Sequence, residues 1–297
     1  MKITNNLTLS TETTTSSLFI QTFDIGIEQG TERPITPPKL FNINGMSQIF
    51  LDNVLFICGS HSSSANSDEF TSSFLYSVDI LQEPLKMKIE VNSCHPHYYP
   101  TLTILRNDIL IAIGGLGSKH CEYYSIPNKK WKELPDLIEE RYGASALCDN
   151  KHNYIYVFGG LNNNTGKCGL TVFRLKLHIA TRWDTLVVME NDKYLAKMGS
   201  LIIKRDDRQI FILGGTDNNG NATDDIVNID FNIKVIKPKV DDNLVLSNKC
   251  SFSSLRHGIA DINENIYAMD DSEDNYNIIY KISNNNCDVL YLNEKLN

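Results

Sequence analysis

At 297 residues with 41% hydrophobic content, the chain can bury a sizeable core, and its internal repetition argues for one domain rather than two. A net charge of −8 and a pI near 5.4 argue against a general binder of nucleic acid or of anionic membranes. No stretch reaches the roughly 18 apolar residues of a transmembrane helix. The polar start, MKITNNLTLSTETTTSS, lacks the apolar centre of a secretory signal. Seven cysteines without a CxxC pair read as free thiols in a reducing compartment, so a cytoplasmic setting is expected.

Residues 1–16 form a polar segment rich in Thr, Asn and Ser, expected to be loose. Ser17 to Ile25 (SLFIQTFDI) reads as a strand, and Gly30 to Pro38 as a turn-rich connection with three prolines. A first full unit runs from about Phe41, with strands at Ile43–Phe50, Val54–Cys58, Leu75–Asp79 and Met87–Val91. A second opens at His95-Pro96-His97-Tyr98-Tyr99-Pro100 and continues through Thr101–Leu105, Ile109–Ile113, Cys121–Ile126 and a short strand at Trp131. The third holds Tyr154 to Phe158 and the loop Leu161-Asn162-Asn163-Asn164-Thr165-Gly166, followed by strands at Leu170–Leu177 and Arg182–Met189. The fourth has Leu201–Lys204, Gln209–Leu213, Ile226–Phe231 and Lys234–Ile236, and the fifth starts at Arg256-His257-Gly258 and reaches Leu292. Helical periodicity is almost absent; Asp136–Glu140 has room for one turn.

Four signals recur. Apolar runs end in glycine pairs at Gly114-Gly115, Gly159-Gly160 and Gly214-Gly215, with degraded forms at Gly59-Ser60 and Asp270-Asp271. After the first intact pair come Tyr124 and, seven positions on, Trp131, then Leu134-Pro135 and Arg141-Tyr142-Gly143. The pairs begin at 59, 114, 159, 214 and 270, at intervals of 55, 45, 55 and 56 residues. Third-strand ends near 23, 78, 124, 175, 229 and 280 give six marks.

This pattern resembles the kelch repeat. In that family a hydrophobic run closes on Gly-Gly, a Tyr precedes a Trp, and an Arg and a Gly open the next unit. The resemblance covers residues 41–293 well and 17–40 weakly. It implies an all-β kelch-type β-propeller spanning 17–297, with about six four-stranded blades and an incomplete first blade. On this reading Gly114, Gly115, Gly159, Gly160, Gly214, Gly215, Tyr124 and Trp131 are structural. The glycines serve a crowded bend and the aromatics fill wedges between blades. No phosphate-binding loop is present, because no strand-to-helix context surrounds Gly114-Gly115-Leu116-Gly117.

Candidate functional residues sit in the loops. His95, His97, Tyr98 and Tyr99 form the densest stretch; loop packing, partner contact and a metal or catalytic role stay open, in descending order. Pro96 between the histidines weakens a metal site. Arg141 and Arg256 stand at the kelch Arg position, either as structural ion pairs or as forks for an acidic partner segment. Tyr142, Asn162, Asn163 and His257 join them as candidate partner contacts, since variable polar loops on a rigid scaffold build recognition surfaces. The resemblance implies a protein-interaction module for a protein or peptide partner, such as a ubiquitin-ligase substrate adaptor or an actin-associated scaffold. No cofactor, metal, catalytic residue or small-molecule ligand is expected. The alternative is an enzyme of kelch-like architecture acting on a sugar or small molecule in the axial pocket.

Overall fold

Four apolar runs, Val54-Leu-Phe-Ile-Cys58, Ile109-Leu-Ile-Ala-Ile113, Tyr154-Ile-Tyr-Val-Phe158 and Gln209-Ile-Phe-Ile-Leu213, are the second strands of four sheets. They are apolar on consecutive positions, not alternate ones, because both faces of each sheet are covered. The computed structural model describes residues 18–24, 29–38, 41, 45–59, 73–169, 171–179, 181–186, 199–204, 209–230, 238–250, 255–260, 266–270, 276–283 and 286–294. The chain divides into two compact units, Met1–Tyr142 with His178–Trp183, and Gly143–Leu177 with Asp184–Asn297.

The first unit begins with a hairpin of β1 (Leu18–Asp24) and β2 (Gln29–Thr36). Then comes an antiparallel meander of β3 (Met46–Leu51), β4 (Val54–Gly59), β5 (Phe74–Asp79) and β6 (Leu85–Ile89). A second meander follows: β7 (Thr101–Leu105), β8 (Ile109–Gly115), β9 (Ser118–Ser125) and β10 (Lys130–Leu134). The hairpin joins the first meander through a short parallel pairing of β2 with β6, at Ile35↔Leu85 and Thr36↔Lys86.

The stretch expected as the third strand of an incomplete first blade is thus β1, placed on the outer edge of another sheet. The reason is apolar cover. Ile20 and Ile35 are buried with Leu55, Ile57, Tyr76, Val78, Leu85 and Met87 on one face of the first meander. Arg33 fixes the hairpin by donating to the Ile80 carbonyl at 2.9 Å and pairing with Glu83 at 2.8 Å.

The other face of that meander packs on the second. Phe56, Cys58 and Leu75 meet Leu110, Ala112, Tyr124 and Trp131. Tyr124 and Trp131 are cross-strand partners with ring centroids 5.3 Å apart. The Trp131 indole N–H donates to the Val91 carbonyl at 2.6 Å, just past the end of β6. Trp183 repeats this bond to the Pro135 carbonyl at 2.8 Å, just past the end of β10. Tyr124 and Trp131 thus lie in the apolar cluster between the two meanders, with the indole satisfied as a buried N–H must be.

Among the described residues the second unit holds three four-stranded sheets and one two-stranded sheet. The first has β11 (Ser145–Asp149), β12 (Tyr154–Phe158), β15 (Val172–Lys176) and β16 (Trp183–Leu186), with a two-residue hairpin pair, β13 (Leu161–Asn162) and β14 (Lys167–Cys168), above it. The next has β17 (Leu201–Lys204), β18 (Gln209–Leu213), β19 (Thr223–Asp230) and β20 (Pro238–Cys250). The last has β21 (Leu255–Ala260), β22 (Ile266–Asp270), β23 (Tyr276–Ser283) and β24 (Asn286–Glu294). Tyr156, Phe158 and Val172 pack on Ile210, Ile212, Val227 and Ile229 between the first two of these.

Among the described residues the four-stranded meander therefore occurs five times, where the repeat marks had led to six. A 3-10 turn forms at Leu177–Ile179, while Asp136–Glu140 has no helical turn. The expected fourth strand at Lys234–Ile236 lies outside the described residues, and β20 supplies that strand.

The first glycines of the intact pairs share one backbone conformation. Gly114, Gly159 and Gly214 have φ of 58°, 58° and 60°. A Cβ on Gly114 would stand 2.7 Å from the Arg141 carbonyl oxygen, and one on Gly115 2.8 Å from that of Tyr98. Left-handed φ and backbone crowding both exclude a side chain there. Asp270 closes β22 opposite Leu255, and Asp271 lies outside the described residues.

Candidate functional site

The segment that leads from β6 into β7 carries the densest group of sequence candidates, and it is built around a buried carboxylate. Along β9, alternate residues face the first meander, which places Glu122 on the same side as Tyr124. Glu122 is fully buried. Its Oε2 accepts the Cys94 N–H at 2.9 Å, and its Oε1 accepts the His95 N–H at 2.8 Å. The same Oε1 lies 3.2 Å from Nε2 of His97, a side chain that is itself fully buried. The other ring nitrogen, Nδ1, donates to the Gly114 carbonyl at 2.7 Å. His97 is thus a clamp between the lead-in segment, the glycine corner and β9.

Burial pushes the Glu122 carboxyl up. The hydrogen bonds from His97 and from the amides of Cys94 and His95 outweigh burial, and the group sits below its ordinary value.

Ser73 and Ser93 complete the frame. Ser73 Oγ accepts from the His97 amide at 2.6 Å and donates to the His97 carbonyl at 3.1 Å. Ser93 Oγ accepts from the Ser73 amide at 2.9 Å and donates to the His95 carbonyl at 2.6 Å.

His95 lies on the outside of this frame. Its ring stacks on His120 with centroids 4.1 Å apart and planes 18° apart. Nε2 of His95 is 3.1 Å from Glu133, and Nδ1 of His120 is 3.1 Å from Asp136. Two imidazoles and two carboxylates make a partly exposed row across β9, β10 and the loop after it. Cys94 beside them is exposed; burial and the nearby Glu122 push its thiol up, against thiolate chemistry. Among the described residues no group of three or more His, Cys, Asp or Glu side chains is placed to hold a metal ion.

Tyr98 and Tyr99 meet edge to face, centroids 4.8 Å apart, and both are half-buried. The Tyr98 carbonyl accepts the Leu116 amide at 2.7 Å. Arg141 is 1% exposed, and its Nε and Nη2 reach Glu139 Oε1 at 3.0 and 2.5 Å. Its carbonyl accepts the Gly115 amide at 2.9 Å. Tyr98 and Arg141 therefore flank one glycine corner, while Tyr142 is half-buried beyond it.

In the second unit Asn162 is buried and folds the β13–β14 loop. Its Oδ1 accepts from the amides of Asn164 and Thr165 at 2.9 and 3.2 Å, leaving Asn163 exposed at the tip. The loop after β18 is tied to it, with Asn218 Oδ1 accepting the Cys168 amide at 2.6 Å. Arg256 and His257 lie on β21, where His257 pairs with Met269 across a bulge.

Sequence reasoning singled out His95, His97, Tyr98 and Tyr99 but missed Glu122, His120, Glu133 and Asp136. The signal for Glu122 was present: it stands two residues before Tyr124 on a strand whose Tyr faces the core.

No protein-family model matches the chain, and no curated protein matches it significantly. Among solved structures, one described as "Structure of YjhT" aligns with a TM-score of 0.57 at 14% identity, covering 82% of this chain and 82% of that one. No helix among the described residues is long and apolar enough to cross a membrane. At that identity the likeness carries the fold alone, and with the repeated four-stranded meanders it identifies an all-β chain of β-propeller fold.

Proposed function

We propose that this chain is a kelch-type propeller that works as a binding module, recognising a protein or peptide partner through its loops. One observation carries the reading. The segment Ser93–Tyr99 is fixed by buried polar groups on Glu122, Ser73 and His97, yet it holds His95, Tyr98 and Tyr99 at least partly open to solvent. A loop pinned this way loses little entropy when a partner binds. The stacked His95–His120 pair with Glu133 and Asp136 offers polar contacts beside it. The absence of a disulfide at Cys58, Cys94, Cys121, Cys148 and Cys168 suits a cytoplasmic setting. An adaptor or scaffold role follows from the same module reading.

The test is affinity purification of the full chain from its native source, with mass spectrometry of partners and metal analysis of the same sample. A stoichiometric protein partner that is lost in a His95→Ala/His120→Ala variant of unchanged thermal stability supports the module. A stoichiometric metal or small molecule without a protein partner overturns it.

A further inference from the structure

β1 (Leu18–Asp24) is an outer edge of the six-stranded sheet in the first unit. It runs for seven residues against β2 without a register shift, and among the described residues β2 is its only strand neighbour. The hairpin is anchored. Ile20 is fully buried, and Arg33 on β2 holds the Ile80 carbonyl and Glu83. The outer side of β1 is then a row of N–H and C=O groups on a fixed strand, a template for one more strand.

The other outer strands carry residues that blunt such an edge. β10 has exposed Lys130 and Lys132, β16 has Asp184, β20 opens on Pro238 and Lys239, and β24 has Asp288. β1 reads LFIQTFD, without lysine or proline, and its one charge, Asp24, stands at the end. The strand also matches itself. Laid antiparallel on its own copy about a two-fold axis at Gln21, it sets Gln21 opposite Gln21, Ile20 opposite Thr22, Phe19 opposite Phe23 and Leu18 opposite Asp24. No like charges meet, and aromatic positions pair with each other, which favours a ladder. The same operation on β10 sets Lys132 against Lys132, which opposes one. Odd and even positions both find partners in this register, so the outward backbone groups are satisfied whichever set they belong to. The pairing uses up the edge of each copy, so assembly closes at two.

We propose that this chain forms a two-fold dimer through antiparallel β1–β1 pairing centred on Gln21. The interface uses none of the loop residues of the module reading and stands or falls apart from it. The experiment is sedimentation equilibrium of the full chain, wild type and Gln21→Lys, with disulfide trapping in Gln21→Cys and Asp24→Cys. Expected are a monomer–dimer equilibrium in wild type and a dimer dissociation constant raised about fivefold or more in Gln21→Lys, which opposes two like charges at the axis. Under mild oxidation Gln21→Cys should cross-link through residue 21, because directly opposed Cα atoms stand about 4.5–5.5 Å apart, within disulfide reach. Asp24→Cys should not, since its two copies stand about 20 Å apart along the ladder. Peptide mapping separates these links from any through the exposed Cys94. A chain that stays monomeric at every concentration, a dimer indifferent to Gln21→Lys, assembly beyond two copies, or equal trapping at 21 and 24 overturns the proposal.

Discussion

Nε2 of His97 lies 3.2 Å from Oε1 of Glu122, and neither side chain has measurable exposure. Between them they hold the lead-in segment of the second meander to β9, so the candidate binding loop depends on a buried polar pair. Removing one partner of such a pair is expensive, because the other is left desolvated. Glu122→Leu strands two backbone amides and one imidazole, and is expected to cost about 3–5 kcal/mol. Glu122→Gln keeps one acceptor oxygen and is expected to cost about 1–3 kcal/mol. Urea denaturation of both variants measures the order. Amide exchange at Cys94 and His95 should rise in each; unchanged exchange would detach Glu122 from the loop.

The same carboxyl sets a pH dependence. The folded value of Glu122 is lowered, from the first cause, burial, being outweighed by the hydrogen bonds it accepts. The unfolded chain then binds its proton first, near the ordinary Glu value of about 4.3. The contribution to stability is complete above that value and is lost as pH falls through the lower folded value. Wild type is expected to lose more stability than Glu122→Gln between about pH 5 and pH 3. Parallel pH profiles of unfolding free energy would show that Glu122 is not the group involved.

Gly114 and Gly117 separate crowding from backbone strain. Both have positive φ, 58° and 73°. A Cβ on Gly114 meets the Arg141 carbonyl at 2.7 Å, whereas one on Gly117 meets nothing within 4 Å. Gly117→Ala should cost only the left-handed penalty of about 1–2 kcal/mol. Gly114→Ala should cost that and a displaced loop, about 2–4 kcal/mol in all. Equal melting temperatures would mean that the 136–141 loop gives way freely.

The glycine pairs and Trp131 were legible in the sequence because backbone geometry and wedge filling each admit few residue types. Gly114, Gly159 and Gly214, the first residues of the pairs, have φ of 58°, 58° and 60°, and Trp131 reaches the previous meander. The number of units was less legible. A strand with an apolar face, such as Leu18–Asp24, carries no mark of which sheet edge it will join, and here Ile20 found cover against Leu55 and Val78. The fourth strand of the fourth sheet was also hidden. Pro238–Cys250 is long and mostly polar, with register shifts against β19 that break its alternation. At the candidate site, pairs such as His95 with His120 or His97 with Glu122 join residues 25 apart in sequence, and no local pattern announces them. Tyr99 reads in the sequence as an aromatic loop residue, and its left-handed φ of 53° has no local sequence mark.

Arg141 shows where residue type and burial point in different directions. A guanidinium in a loop before an inner strand reads as a fork for a carboxylate, yet this one is 1% exposed and already engages Glu139. Arg141→Ala is expected to cost about 2–4 kcal/mol of stability, less than a fully buried pair because Glu139 keeps part of its hydration. Arg141→Lys keeps the charge but not the two-nitrogen grip on one oxygen, and should fall between. The decisive measurement is partner affinity of Arg141→Lys, well below its melting temperature. Retained affinity with a lowered melting temperature assigns Arg141 to the scaffold. Lost affinity with an unchanged melting temperature would make it a direct partner contact and move the centre of the binding face from Tyr98–Tyr99 to the far side of the glycine corner.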